Sequence, residues 1–165
     1  MAKQQNNIKR CYNLIMLDKL KEIFQKYGIS IAYFFGSQRD LGLNYLSGEK
    51  VNPDPDSDLD IGLYLKSLPK NMFDFYGSLY SELSDIFEHF HIDVVFLNEV
   101  DYLIKYEIIS GHRIYAEDED FADEYEERVM KFAEDINFKQ KLFEKDFLEA
   151  LRDGYFEIKL KQDPE

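Results

Sequence analysis

Cysteine and long apolar runs are nearly absent from this sequence of 165 residues. Its single cysteine, Cys11, cannot form a disulfide within the chain. No apolar run approaches the roughly 20 residues that a membrane-spanning helix needs, and the polar segment 1–7 lacks the apolar core of a signal peptide. We therefore expect a protein of the reducing cytoplasm that does not associate with a membrane.

Positive charge is the second scarce property. Lys and Arg number 20 against 33 Asp and Glu, which gives a net charge of −13. Proteins that bind nucleic acid broadly use Lys and Arg to neutralise its phosphates, so this balance predicts no broad nucleic-acid surface. A single nucleotide is still compatible with it, because metal ions held on carboxylates can neutralise a triphosphate.

The negative charge is concentrated in segment 117–127, EDEDFADEYEE. One explanation is a solvated face or the acidic first turn of a helix, where the helix dipole favours carboxylates. The other explanation is a docking patch for a basic partner protein.

Apolar residues are plentiful and follow alternating helix and strand patterns. They make up 45% of the chain, with 14 Phe and 12 Tyr. Their spacing predicts helix 13–27, strand 29–35, helix 38–45, strand 58–65, helix 72–90, strand 91–97, helix 99–109, an edge strand or linker at 113–116, and helices from 121 onward with a break at Asn137. This order predicts an α/β (α+β) fold, with a small mixed sheet of three to four strands flanked by helices. We expect one domain over 1–116 and a C-terminal helical extension, 117–165, packed on it.

Two short motifs carry candidate chemistry. Gly36 and Ser37 end the first predicted strand, where a Gly-Ser turn can present backbone N–H groups to a phosphate. Asp58 and Asp60 open the second strand, where side chains two residues apart share a face and can reach one or two Mg²⁺ ions. Each motif alone has a common structural explanation. A Gly-Ser pair after a strand is most often only a turn, and an Asp-x-Asp pair is usually a solvated strand face.

A third acidic residue strengthens the metal interpretation. Asp93 lies in an otherwise apolar strand, IDVVF, and burying an ionised carboxylate is unfavourable unless it is paired or bound to a metal. If the second and third strands are neighbours, three carboxylates converge on one point. Hard oxygen ligands of this kind suit Mg²⁺. A two-metal arrangement can activate the attacking oxygen and stabilise the departing oxygen. His91 is better explained as a polar strand cap than as a ligand, and Cys11 as an apolar filler.

The combination resembles the minimal nucleotidyltransferase (MNT) domain of the nucleotidyltransferase superfamily. The resemblance rests on Gly36, Ser37, Asp58, Asp60 and Asp93. Segment 106–115, YEIISGHRIY, is similar to the helix and Gly-x-x-Leu-Tyr stretch that follow the third carboxylate in this family. The later helical segments are similar to the tail of the family's antitoxin members.

The resemblance implies nucleotidyl transfer from ATP with two Mg²⁺ ions. Gly36 and Ser37 would hold the β- and γ-phosphates. Asp58 and Asp60 would hold metal on the triphosphate, and all three carboxylates would hold the second ion. Asp93 would also help to activate the acceptor hydroxyl.

Two features depart from the family pattern. The usual Gly-Ser-x-Ala-Arg-Gly is here GSQRDLG, residues 36–42, which is one residue longer and displaces the arginine to Arg39. The spacer before Asp58 is also lengthened by the polar segment 44–56. This segment either shapes the acceptor pocket, as a wall or a lid, or is a tolerated surface insertion.

The resemblance finally implies an antitoxin that transfers AMP from ATP to a tyrosine of a HEPN-domain RNase toxin. Two alternatives stay open. The chain could be a binding antitoxin that occludes its partner without catalysis. It could also modify a small molecule such as an aminoglycoside, whose positive charge suits an acidic cleft.

Overall fold

Helices and strands alternate along the chain, which the structure, a computed structural model, describes over residues 15–153. In chain order these are α1 (15–26), β1 (Ile29–Phe35), α2 (Arg39–Leu46), β2 (Leu59–Leu65), α3 (Met72–Ile86), β3 (Ile92–Phe96), α4 (Tyr102–Ile109), β4 (His112–Ala116) and α5 (Glu119–Arg152). Cys11 and the last part of the predicted tail lie outside the described residues.

The strands form one mixed sheet in the order β3-β2-β1-β4. β1 is antiparallel to both β2 and β4, whereas β2 and β3 are parallel. The segment predicted as an edge strand or linker is the edge strand β4. The predicted fold class, a small mixed sheet flanked by helices, is confirmed.

Apolar residues cover both faces of this sheet. On one face, Leu59, Ile61 and Leu63 of β2 pack in a core with buried residues of α1, α2 and α3. On the other face, residues of β1 pack against Ile108 of α4 and three buried residues of α5. Gly62 of β2 allows the close approach of α4, because a Cβ at this position would lie 2.3 Å from Cγ2 of Ile108. Because side chains alternate between the two faces of the sheet, neighbouring residues of a strand belong to two separate cores.

The last helix, α5, is continuous over 34 residues, so the predicted break at Asn137 is wrong. An asparagine in a helix interior destabilises the helix by only about 0.7 kcal/mol relative to alanine. Neighbouring residues that favour the helix readily offset this loss. The residues of α5 that are buried lie in its first half and are Ala122, Tyr125, Val129 and Ala133. Its second half carries large apolar side chains that are exposed, namely Phe138, Leu142, Phe143 and Leu148.

Two helix boundaries within the described residues differ from the prediction by three or four residues, for local reasons. α4 begins at Tyr102 and not at Glu99, because the Asp101 carboxylate caps it by accepting hydrogen bonds from the N–H groups of Leu103 and Ile104. α3 ends at Ile86, four residues earlier than predicted, and a turn precedes β3. None of the helices in residues 15–153 has the length and apolar character needed to cross a bilayer.

Candidate active site

Strand register brings the predicted carboxylates to one edge of the sheet. Asp60 of β2 is the direct register partner of Asp93 in β3, and on its other side it is the partner of Phe35, the last residue of β1. Asp58 lies one residue before β2 begins. The end of β1 and the beginnings of β2 and β3 therefore meet where the three carboxylates lie.

The three carboxylates at this edge of the sheet repel one another. Burial, followed by repulsion from Asp93 and Asp58, raises the pKa of the Asp60 carboxyl above its ordinary value of 3.8. Within residues 15–153 the three carboxylates form no salt bridge with Lys, Arg or His. They form a negative site without a cationic side chain to balance it.

The exposure of the carboxylates corrects one part of the sequence argument. Asp60 is half-buried, whereas Asp58 and Asp93 are exposed. The expectation that Asp93 is a buried charge is wrong, because β3 is an edge strand and Asp93 lies at its open beginning. The case for this residue therefore rests on its register with Asp60.

Gly36 brings the Gly36–Ser37 turn into contact with these carboxylates. Its φ of +69° is a left-handed conformation that glycine adopts without strain. A Cβ at this position would lie 1.9 Å from Oδ2 of Asp60, so any larger residue would have to displace this carboxylate. Ser37 follows in the turn, and its Oγ lies 2.6 Å from the Oγ of Ser57, the residue before Asp58. All five predicted site residues are thus neighbours.

Gln38 is a residue of this site that the sequence analysis missed. It is only 2% exposed, and its side-chain amide binds the backbone of segment 47–57. Nothing in the sequence pattern marks it, because its partners depend on the path of an irregular loop. That segment contains no helix or strand, as its prolines predict.

Other polar candidates have structural partners elsewhere. Nε2 of His112 lies 2.5 Å from Oδ1 of Asp40, and this contact lowers the pKa of Asp40. His91 is exposed, and its backbone carbonyl accepts a hydrogen bond from the N–H of Leu59. Arg39, the displaced family arginine, is the first residue of α2 and forms no ion pair within the described part of the chain.

The acidic segment 117–127 is largely tied to the fold. Arg113 of β4 contacts carboxylates of Glu119, Asp123 and Glu126 within 3.1 Å. Glu126 also accepts a hydrogen bond from the Tyr33 hydroxyl, 2.8 Å away. Asp118 caps α5 by accepting from the N–H of Phe121. These contacts favour the explanation of an acidic first turn over that of a docking patch.

The donor set suits a hard divalent cation. Residues 15–153 contain no preformed cluster of three or more metal-ligating side chains. Strand register nevertheless brings Asp60 beside Asp93, with Asp58 one residue before β2. Oxygen donors of this kind fit Mg²⁺, which keeps several waters and takes phosphate oxygens as further ligands. The chemistry of these side chains is therefore compatible with a hard divalent cation.

A family model covers most of the chain. The model described as "Polymerase beta, Nucleotidyltransferase" matches residues 18–120, from α1 to the start of α5. The search of curated proteins finds no match.

Solved structures share this fold. A chain of the complex between tri-AMPylated Shewanella oneidensis HEPN toxin and MNT antitoxin is 11% identical, with a TM-score of 0.56, and the match covers 82% of this chain and 98% of that chain. A chain of a toxin–antitoxin complex with AMP-PNP is 13% identical, with a TM-score of 0.56 and coverage of 80% and 98%. A chain of a mutant MntA-HpeT toxin–antitoxin complex is 12% identical, with a TM-score of 0.58 and the same coverage. At these identities the likeness shows the fold.

Proposed function

The chain belongs to the polymerase beta nucleotidyltransferase family, and on this premise we propose that it transfers AMP from ATP to a protein hydroxyl at the edge of the sheet formed by β1, β2 and β3. The observation that carries the proposal is the register of Asp60 with Asp93, next to Gly36, where a side chain would displace the Asp60 carboxylate. A phosphate turn and three carboxylates without cations are the parts that metal-dependent phosphoryl transfer uses.

Each residue has a definite role in the proposed reaction. The backbone N–H groups of the Gly36–Ser37 turn bind the β- and γ-phosphates of ATP. Asp58 and Asp60 would hold Mg²⁺, which would supply positive charge to neutralise the triphosphate, and Asp93 would complete this set of ligands. Asp93 also accepts the proton of the acceptor hydroxyl. The hydroxyl oxygen attacks the α-phosphorus, the bond from that phosphorus to the oxygen of the β-phosphate breaks, and pyrophosphate leaves.

The proposed acceptor is a tyrosine of a HEPN-domain toxin. Two observations support a protein acceptor. The solved structures above come from toxin–antitoxin complexes, one of them with a tri-AMPylated HEPN toxin, and the match covers nearly all of those chains. In addition, the second half of α5 exposes large apolar side chains, a feature typical of protein-interaction surfaces. We propose that residues 117–165 extend the catalytic domain of 1–116 and contribute this contact.

An acceptor assay tests the proposal. The purified protein is incubated with MgCl₂ and α-³²P-ATP, and with either a HEPN-domain protein or a panel of aminoglycosides. We expect label on the protein and on a tyrosine within it. Label on an aminoglycoside alone contradicts the proposed acceptor, and label on neither contradicts nucleotidyl transfer to both acceptor classes.

Occlusion without catalysis is the second candidate, because the exposed apolar side chains of α5 could cover a toxin without any chemistry. A neutralisation assay in cells separates the two. Asp58→Ala with Asp60→Ala leaves α5 unchanged and removes two proposed metal ligands. Loss of neutralisation supports catalysis, whereas full neutralisation by this variant supports occlusion.

A further inference from the structure

The buried side chain of Gln38 joins two segments that both belong to the proposed site. Gln38 directly precedes α2 and follows the Gly36–Ser37 turn. Its Nε2 donates hydrogen bonds to the backbone carbonyls of Asp54, 3.3 Å away, and of Ser57. Its Oε1 accepts a hydrogen bond from the N–H of Asp54 at 3.0 Å. One side chain thus satisfies three backbone groups of a loop that has no regular structure.

The peptide that Gln38 holds is the one that carries Asp58. The carbonyl of Ser57 belongs to the peptide bond with Asp58, so the hydrogen bond from Gln38 restrains the backbone at the first proposed metal ligand. The hydroxyls of Ser37 and Ser57 make a second link between the same segments, 2.6 Å long. Val51 packs against the apolar core near the middle of the segment, so these links fix the part that lies closest to Asp58.

We propose that Gln38 is a positioning residue, which fixes Asp58 relative to the Gly36–Ser37 turn and makes segment 47–57 a fixed wall of the site. This inference rests on the proposed function, since it assigns to Gln38 the geometry of that metal site. Of the explanations of the lengthened spacer, these contacts favour a wall of the site.

A glutamine suits this role because its amide both donates and accepts. Buried backbone N–H and C=O groups need partners, and loop groups cannot find them in a helix or sheet ladder. A carboxylate at this position could not donate to the carbonyls of Asp54 and Ser57. An apolar side chain of the same length would remove the Gln38 partner of the Ser57 carbonyl and of the Asp54 N–H, and would leave the Asp54 carbonyl only the hydrogen bond from the Ser57 N–H.

The opposite end of β2 provides a matched control. There, Oδ1 of Asn98 accepts a hydrogen bond from the N–H of Leu65 at 2.8 Å, and its Nδ2 donates to the carbonyl of Leu65 at 3.0 Å. Asn98 therefore holds the last residue of β2 with the same amide chemistry, remote from Asp58. A purely structural role for Gln38 predicts that Gln38→Met and Asn98→Leu behave alike.

The first measurement is amide hydrogen exchange on the full chain without metal, which requires no catalysis. In Gln38→Met we expect exchange at the Asp54 amide to accelerate at least about tenfold, because its acceptor is lost. In Asn98→Leu the Leu65 amide should accelerate instead, with Asp54 unchanged. Unchanged exchange at Asp54 in Gln38→Met overturns the proposal.

The second measurement is Mn²⁺ affinity, followed by the electron paramagnetic resonance signal of the free ion. We expect Gln38→Met to weaken Mn²⁺ binding about tenfold, a loss seen when groups that orient metal ligands are removed, and Asn98→Leu to leave it unchanged. Gln38→Asn keeps the amide on a shorter side chain and should give an intermediate affinity if Gln38→Met does not fold.

The outcomes separate this inference from the proposed function. A wild-type protein that binds no Mn²⁺ overturns both together. Wild-type binding with an affinity that Gln38→Met does not lower more than Asn98→Leu overturns the positioning role alone. Weakened binding that is confined to the Gln38 variants supports it.

Discussion

Asp60 of β2 and Asp93 of β3 are direct partners on two parallel strands. Neighbouring strands lie about 4.8 Å apart, and paired residues in register point to the same face of the sheet. Two like charges at this separation repel one another unless a cation lies between them. The pair therefore lowers the stability of the folded protein, and a cation bound between the two carboxylates would offset this cost.

The first prediction concerns the stability of Asp60→Asn. Because the pKa of Asp60 is raised in the folded protein, the folded state binds more protons than the unfolded state between the two pKa values, and stability falls as pH rises through that window. In EDTA at pH 7, Asp60→Asn should melt about 2 °C higher than the wild type. The difference in melting temperature should disappear as the pH falls below 3.8, the ordinary pKa of an aspartate side chain.

Melting curves measured by circular dichroism across pH check this prediction. Glu124→Gln, at an exposed carboxylate of α5 that forms no salt bridge in the described residues, is the control and should not change the melting temperature. With MgCl₂ present, the order of wild type and Asp60→Asn should reverse. A variant that melts lower than the wild type in EDTA at pH 7 contradicts the account of the carboxylate pair.

The second prediction concerns Gly36→Ala. Alanine at φ +69° is strained by about 1 kcal/mol, and its Cβ would also displace the carboxylate of Asp60. Gly28→Ala is the matched control, because Gly28 has φ +64° with no atom within 4 Å of the Cβ position. Both variants should lose similar stability in urea unfolding. Only Gly36→Ala should reduce AMP transfer, by about 100-fold or more.

Equal transfer rates in these two glycine variants contradict the role of Gly36 at the site. The comparison separates the effect of the added Cβ on Asp60 from the effect of backbone strain, because both positions have a positive φ and only Gly36 faces a carboxylate.

The third prediction concerns the second half of α5. Phe143 is 69% exposed, so Phe143→Asp should leave the melting temperature nearly unchanged. If this surface contacts the toxin, the substitution should weaken the complex by about 30-fold or more, the loss typical of a central aromatic contact. Isothermal titration calorimetry with the toxin measures it. Leu68→Asp, at an exposed apolar residue in the turn after β2, is the control. Equal affinity of both variants for the toxin excludes α5 as the contact.

Local patterns were sufficient to predict much of the fold. Strand β1 has the predicted limits, Ile29–Phe35, because a short run of apolar residues is typical of a buried strand. Leu59, Ile61 and Leu63, which alternate along β2, pack together in one of the two cores, as a period of two requires. The break predicted at Asn137 is wrong because one residue of modest helix propensity rarely ends a helix whose neighbours favour it.

Features that depend on distant segments could not be predicted in this way. The site residues lie on three strands, and only the pairing of β2 with β3 brings Asp60 beside Asp93. The exposure of Asp93 follows from the edge position of β3, which no local pattern reveals. Gln38 was missed for the same reason, because its partners lie 16 and 19 residues away in a loop. Metal-ligand roles for the carboxylates stay predictions.

The most direct test of the account is the initial rate of transfer of radiolabelled AMP to the HEPN-domain protein. The comparison is between the wild type, Asp58→Ala with Asp60→Ala, and the charge-matched control Glu124→Ala with Glu127→Ala on the exposed side of α5. We predict that the first double variant loses at least about 10³-fold in rate, because it can no longer hold the metal that neutralises the triphosphate of ATP. The control variant should keep the wild-type rate. Transfer at the wild-type rate by the Asp58 and Asp60 double variant would contradict the account.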